Sequence, residues 1–425
     1  MILMLTLGLV VFLMMGLPVA MALILSAVGA SLLSGAPFHF TILSQKMQFA
    51  LQNYVLLAIP LFILADKLMN TAGISLRIFR FADTLVGFLP GGLGHANILG
   101  SLIFSGMSGA AVVDAAGLGQ IEHEAMTKSG YPSKFAVACT ASSSIIGPIF
   151  PPSIPMVVFS FVSGVSVGRL FLGGVVPGLL MTAALMAWVA IQAKKHNYPR
   201  QPFPTMATAT KSLADAVVPL MAPIILLGGI WLGIFTPTEA AGVASLYALV
   251  VGLFVLRELS FKDLARAFTE TARETAIIGF LLAASAFYGW VLMRTGLTLQ
   301  LAEWLVSISR DAWVILILIN LFLIVVGCFL DSTVAILILG PVFMPVIAAV
   351  GIDPVHFGVV MVLNLMIGLM TPPFGMILFV MQQVSGLSFE EVVKACMPPL
   401  VPLVVVLVLI TFFPSIVVWL PNLVM

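Results

Sequence analysis

Two short runs interrupt long apolar stretches with prolines and small oxygen-bearing residues: Gly147-Pro148-Ile149-Phe150-Pro151-Pro152-Ser153 and Leu369-Met370-Thr371-Pro372-Pro373-Phe374-Gly375. Proline has no N–H, so inside a helix it frees a carbonyl four residues back. Two further runs, Phe104-Ser105-Gly106-Met107-Ser108-Gly109 and Gly327-Cys328-Phe329-Leu330-Asp331-Ser332-Thr333, combine glycines with hydroxyls. Ser105, Ser108, Gly147, Pro148, Gly368 and Thr371 thereby offer the hard oxygen atoms that an alkali or alkaline-earth cation needs. Asp331 is the one carboxylate in the four runs, which disfavours Ca²⁺ and suits a monovalent ion. The runs hold no Lys or Arg, so an organic anion bound among them would draw its compensating charge from a bound cation. Helices that restart after each break would turn positive N-termini on such an anion. The substrate contacts expected there are Ser143, Pro151, Ser153, Asn364 and Pro372. The plain alternative is that these prolines, glycines and serines are kinks and packing residues.

Other chemistry is excluded or weak. No Lys follows a Gly, which removes the phosphate-binding G-x-x-x-x-G-K-[ST] loop and ATP hydrolysis by that route. The His123-Glu124 pair has Thr127 where a zinc-protease helix would place its second His, and the surroundings of Ser108 are not G-x-S-x-G. Cys139, Cys328 and Cys396 are far apart in apolar surroundings and read as buried thiols. An enzyme is not expected.

The elements that position the four runs must lie in a membrane. Of 425 residues, 61% are hydrophobic and 8% charged, and the mean hydropathy is +1.20. A membrane crossing takes about 20 apolar residues, so there is room for a dozen or so segments. A net charge of +1 argues against nucleic acid as a partner and leaves membrane lipid as the surrounding phase. The stretch from Met1 to Leu33 is uncharged and reads as one membrane helix rather than a cleaved signal. Positive charge marks the cytoplasmic side. By that rule Lys128 and Lys134, the cluster Lys194 to Lys211 and the cluster Arg257 to Arg273 are cytoplasmic, while 294–311 is periplasmic. The apolar run from Gly91 to Met126 is then flanked by positive charge at both ends, yet it would measure about 50 Å as one helix. It is expected to enter and return as a re-entrant hairpin; the competing form is one long tilted helix. Asp114, Glu122 and Glu124 lie on its return arm, where a proton relay is conceivable, although Glu122 and Glu124 are expected near the interface beside Lys128.

The chain also repeats itself. Ile146-Gly147-Pro148-Ile149-Phe150-Pro151-Pro152 recurs as Ile367-Gly368-Leu369-Met370-Thr371-Pro372-Pro373, and the step from Pro151 to Pro372 also takes Gly106 to Gly327, Gly119 to Gly340 and Ser143 to Asn364. The expected fold is therefore all-α and integral to the membrane, with inverted repeats, two re-entrant hairpins and two discontinuous helices, in an elevator-type arrangement. The segments expected are an N-terminal scaffold helix and loop (1–48), and a scaffold helix with amphipathic arm (49–90). The first transport half (91–193) comprises a hairpin 91–128, a broken helix 132–165 and a helix 168–193. Cytoplasmic loops and a scaffold helix pair (194–274) precede a second scaffold helix and arm (275–311). The second transport half (312–425) comprises a hairpin 312–350, a broken helix 353–385 and a final helix 397–420.

Gly233-Ile234-Phe235-Thr236-Pro237-Thr238-Glu239-Ala240-Ala241, the glycine-rich run at Ser105–Gly109 and the two Pro-Pro breaks together resemble the large membrane subunit of the tripartite ATP-independent periplasmic (TRAP) transporters. The resemblance spans essentially the whole chain, and the first of these runs is its most specific part. It implies a Na⁺-coupled elevator in the bacterial inner membrane. Its partners would be a small four-helix membrane subunit and a soluble periplasmic substrate-binding protein, and its substrate a small organic anion such as a C4-dicarboxylate or sialic acid. The family's sodium positions fall here on Ser105, Ser108, Gly147, Pro148, Gly327, Gly368 and Thr371, and Gly106, Asp331 and Thr333 complete the expected sodium set. The second tip, from Gly327 to Thr333, is poorer in glycine than the first. Glu239 is expected to cap the helix that follows it. A stand-alone Na⁺- or H⁺-coupled dicarboxylate symporter is the nearest rival, and a channel or scaffold protein the next.

Overall fold

The computed structural model describes residues 2–33 and 39–425, and every regular element among them is helical. Among the described residues, eight helices are long and apolar enough to cross a membrane. The chain opens with a helical pair, α1 (Ile2–Met14) and α2 (Val19–Leu33), in place of the single helix expected up to Leu33. Gly16 at φ +79° and Pro18 make the turn, since one adopts a backbone few other residues do and the other cannot continue the helix. α3 (Phe40–Leu51) and a 3₁₀ turn (Tyr54–Leu57) lead into α4 (Ala58–Thr71). Gly73, at φ +65°, then starts the amphipathic α5 (Ile74–Val86), whose buried face is Ile74, Ile78, Phe79 and Ala82.

The segment 91–128 folds back on itself. α6 (Gly92–Ser105) runs to a break at 106–110, and α7 (Ala111–Ala116) and α8 (Leu118–Lys128) return. Asn97 faces Met126, and a side chain at Gly100 would meet Glu122, so the arms are antiparallel. α9 (Ser133–Ser144) and α10 (Ile154–Ser163) are separated by the first Pro-Pro break, and α11 (Val167–His196) follows. α12 (Met206–Trp231) and α13 (Pro237–Val250, continued by a π turn to Val255) come next. The start of α13 is a capping box: the Thr236 hydroxyl accepts from the Glu239 backbone N–H, and the Glu239 carboxylate accepts from that of Thr236. This is the capping role expected of Glu239.

α14 spans Phe261–Arg294, where the apolar run alone suggested a crossing at 275–293. Its start is fixed by a Ser260/Asp263 capping box, so Lys262, Arg266 and Arg273 are helical and not in a loop. α15 (Leu297–Ile308) begins after Gly296 at φ +72°. α16 (Ala312–Phe329) and α17 (Ser332–Ala349) form the second hairpin, with Phe322 and Phe343 meeting edge to face across it. α18 (Pro354–Leu369) and α19 (Met376–Ser385) flank the second Pro-Pro break. The last long helix, α20, spans Phe389–Phe412 instead of 397–420. A Ser388/Glu391 capping box starts it early; it ends just before Pro414, and α21 (Ser415–Val424) packs back on α11.

Glycines with positive φ recur at matching places: Gly73 and Gly296 before the arms, Gly130 and Gly351 before the broken helices, Gly164 and Gly386 after them. Each of these pairs is offset by nearly the same step that separates Pro151 from Pro372. α2, α3 and α4 all pack on α14, and α4 packs on α13. The basic segments gather on one face: Arg77 pairs with Glu258, Gln201 donates to Asp83, the Tyr131 hydroxyl donates to the Pro199 carbonyl, and Lys134 pairs with Glu391. Outward rows such as Leu321 and Val325 on α16, or Val401 and Val405 on α20, are exposed, as suits a surface meant for lipid.

Candidate functional site

Each hairpin tip is seated on the break of its own half. At the first, Ile154 N–H donates to the Gly109 carbonyl at 3.4 Å, and Pro152 occupies the space a side chain at Gly109 would need. At the second, Gly375 N–H donates to the Cys328 carbonyl at 3.1 Å. There the backbones of Gly327 and Gly368 come so close that a Cβ on residue 368 would lie 2.6 Å from Gly327 Cα. Gly327 thus serves a close helix crossing inside α16; the reversal itself falls at Leu330 and Asp331. Both Pro-Pro peptides, 151–152 and 372–373, are cis.

The hydroxyls differ in what they already do. Ser105 donates to the Leu102 carbonyl at 2.6 Å within α6, and Thr371, just past the end of α18, donates to that of Ile367 in α18 at 2.8 Å. Ser153 bonds the Pro148 carbonyl and caps α10 by accepting from Met156 N–H. Ser108 bonds the carboxylate of Asp114. The second oxygen of Asp114 is buried, has no hydrogen bond among the described residues, and occupies the space a side chain at Gly147 would need. Ser108, Gly147 and Asp114 therefore meet at one point. Gly106 abuts Pro223 of α12, where a Cβ would lie 2.6 Å from the proline Cβ.

Two expected substrate contacts lie elsewhere. Ser143 donates to Asn97 at 2.7 Å, and Asn97 to Thr140 at 2.8 Å, tying α6 to α9. Asn364 donates to the Asn320 side chain at 2.9 Å, and Asn320 to Thr411 at 3.0 Å, tying α18 to α16 and α20. Both are buried polar pins between helices and line no part of the cavity described next. Glu122 also departs from expectation: it is buried beneath Gly100, whereas Glu124 is exposed and pairs with Lys128 at 2.6 Å.

Between the tips and the α2–α4–α14 group lies a cavity of about 640 Å³. Its walls are Ala110 to Val113 of the first tip, Pro148, Ile154 and Pro155 of the first break, and Asp331 to Val334 of the second tip. Pro18 to Met21, Ile63, and Glu274 with Ile277, Ile278, Phe280 and Leu281 close the other side. Of the expected site residues Pro148, Asp331 and Thr333 line it; Ser105, Gly106, Ser108, Gly147, Pro151, Ser153, Gly327, Gly368, Thr371 and Pro372 do not. Asp331 caps α17 by accepting from Thr333 N–H at 2.8 Å. The N-termini of α10 and α17 thus edge the cavity and present positive dipole ends to it. Sequence reasoning misses the α2 start, because hydropathy alone runs the uncharged stretch to Leu33 as one helix, and misses the α14 wall, because Glu274 falls in the segment read as cytoplasmic loop.

Paired hairpins and interrupted helices enclosing such a cavity, in a bundle of long apolar helices, define a multi-pass membrane permease. The family model of the "Tripartite ATP-independent periplasmic transporter, DctM component" matches residues 6–416. The sialic acid TRAP transporter large permease protein SiaM of Vibrio cholerae is 44% identical over 96% of this chain and 95% of its own. The C4-dicarboxylate TRAP transporter large permease protein DctM of Pseudomonas aeruginosa is 37% identical over 87% of each chain. The crystal structure of the YdaH transporter of Alcanivorax borkumensis shares the fold, with a TM-score of 0.64 over 88% of each chain at 16% identity. The chain belongs to the large-permease family of TRAP transporters and is a multi-pass protein of the bacterial inner membrane.

Proposed function

We propose that this chain imports a small organic anion by Na⁺ symport, with a small membrane subunit enlarging its scaffold and a periplasmic binding protein delivering the substrate. The observation that carries the reading is the cavity, in which two hairpin tips and a Pro-Pro break converge on helices outside both hairpins. An anion there meets the N-termini of α10 and α17, and a cation held behind the surface by Ser108, Asp114 and Gly147 would supply the balancing charge. The relatives point to carboxylates: one is named for sialic acid and one for C4-dicarboxylates. Sialic acid is the first candidate because that relative is the more similar. The test is uptake into liposomes holding this chain, its small partner and the binding protein. Accumulation that needs an inward Na⁺ gradient is expected; uptake indifferent to Na⁺ and driven by protons rejects the ion.

The recurring glycine caps support two related halves, and the seating of each tip on its own break supports their moving as a unit past α12 and α13. The contact of Gly106 with Pro223 marks one position of that travel. Cysteine pairs between the first tip and α12 are expected to cross-link in two registers as ion and substrate are varied. One register under all conditions rejects the elevator.

A further inference from the structure

The cavity wall carries two carboxylates, Asp331 and Glu274, and no Lys, Arg or His among the described residues. For an anion's path that is the wrong sign, and one residue outside the wall answers it. Lys67 of α4 lies behind Glu274, its Nζ 2.8 Å from Glu274 and 3.1 Å from Glu270, with 18% of its side chain exposed. Arg266 stands 3.6 Å from Glu270 on the exposed side. Lys67 and Arg266 therefore face Glu270 and Glu274 across α4 and α14. The neighbouring Asp66, whose carboxylate accepts from Asn70, also feels both Lys67 and Glu274, so Lys67 is the cation on which these carboxylates converge.

We propose that Lys67 is a positioning residue for substrate charge: by pairing with Glu274 from behind the wall, it cancels the negative potential that this glutamate would otherwise place in the cavity, so that an organic anion can enter. The identity of the anion rests on the importer reading above; the cancellation itself rests on the geometry alone. Lys67 does not touch substrate. Its reach is electrostatic, and it falls with distance and with the dielectric between it and the cavity. The ion pair also ties α4 to α14, so a merely structural role must be separated from an electrical one.

A cysteine at the wall position Ile278 makes that separation. In Ile278→Cys protein, the rates of modification by a negatively charged methanethiosulfonate (sulfonatoethyl) and a positively charged one (trimethylammonioethyl) are compared as a ratio. Adding Lys67→Met is expected to lower the anionic-to-cationic ratio ~10-fold, and Glu274→Gln to raise it by a similar factor. The double variant Lys67→Met/Glu274→Gln returns it to within about 2-fold of the starting value, and Lys67→Arg leaves it unchanged. Loss of a structural clamp does not move the ratio in opposite directions for the two partners. In liposomes, Lys67→Met raises the half-saturation for sialic acid ~10-fold at an unchanged maximal rate, and Glu274→Gln in the same chain reverses this. If Lys67→Met fails to fold, Glu274→Gln alone still decides the sign. A ratio unmoved by both single changes, a double variant as depressed as Lys67→Met, or an unchanged half-saturation beside a shifted ratio overturns the proposal. If the wild type takes up none of sialic acid, succinate and isethionate, the importer reading fails while the thiol ratios still decide the electrostatics.

Discussion

Gly368→Ala is expected to abolish uptake, with a loss on the order of 100-fold or more, as reacting or binding groups displaced by about 1 Å commonly cause. The added methyl would lie 2.6 Å from Gly327 Cα and equally close to its carbonyl carbon. Both are backbone atoms, so no side chain can rotate away and α16 must lift off α18. That movement pulls the second tip from its break, where Gly375 N–H bonds the Cys328 carbonyl, and shifts Asp331 at the cavity wall. Forcing a methyl into such a contact costs about 1–3 kcal/mol, so a lower melting temperature accompanies the lost uptake. Gly228→Ala is the control: a Cβ there would meet nothing within 4 Å, and in the last turn of α12 alanine gains at most about 0.5–1 kcal/mol over glycine. Uptake and melting temperature both equal to wild type in Gly368→Ala would show that the crossing tolerates separation and that the tip is not held by it.

Much of this arrangement is legible in the sequence because a membrane punishes unpaired backbone, so that each break in an apolar run has to be announced by Pro, Gly or a capping residue. Pro151-Pro152 and Pro372-Pro373 announce theirs, as does the Thr236/Glu239 box. The turn at Gly16-Leu17-Pro18 is announced as well, but the uncharged stretch up to Leu33 reads as a single helix when hydropathy alone is weighed. The end of the chain misleads for the opposite reason. Glu390, Glu391 and Lys394 look like a loop, yet they form the exposed first turns of α20, with Lys394 bonded to Glu390. The repeat matches Ser143 to Asn364, but a polar residue facing a site and one pinning two helices have the same sequence signature. Lys67 and Glu274, far apart along the chain, give no local sign of their meeting at the cavity.

The hydroxyls that look equivalent in the sequence are not equivalent in the structure, and the sodium dependence should separate them. Ser105 already donates to the Leu102 carbonyl at 2.6 Å, so Ser105→Ala is expected to change the Na⁺ half-saturation little. Ser108 instead orients Asp114, leaving the second carboxylate oxygen buried, unbonded among the described residues and directed at Gly147. A buried carboxylate in that condition calls for a counter-charge, and a bound cation is the form that fits a tip without Lys or Arg. Ser108→Ala removes the orienting group and should cost about 1–3 kcal/mol of ion binding, raising the requirement roughly 5- to 150-fold. Asp114→Asn removes the charge itself, for which about 3–5 kcal/mol is the usual scale, so the requirement should rise by more than ~150-fold and pass beyond any practical sodium concentration. The order Asp114→Asn, then Ser108→Ala, then Ser105→Ala is the signature, read from sodium titrations of uptake in one lipid mixture. A half-saturation unchanged in Asp114→Asn would remove this carboxylate from the ion site. Equal shifts for Ser105→Ala and Ser108→Ala would instead mean that the Ser105 hydroxyl leaves Leu102 when the ion binds, and would place both oxygens around it.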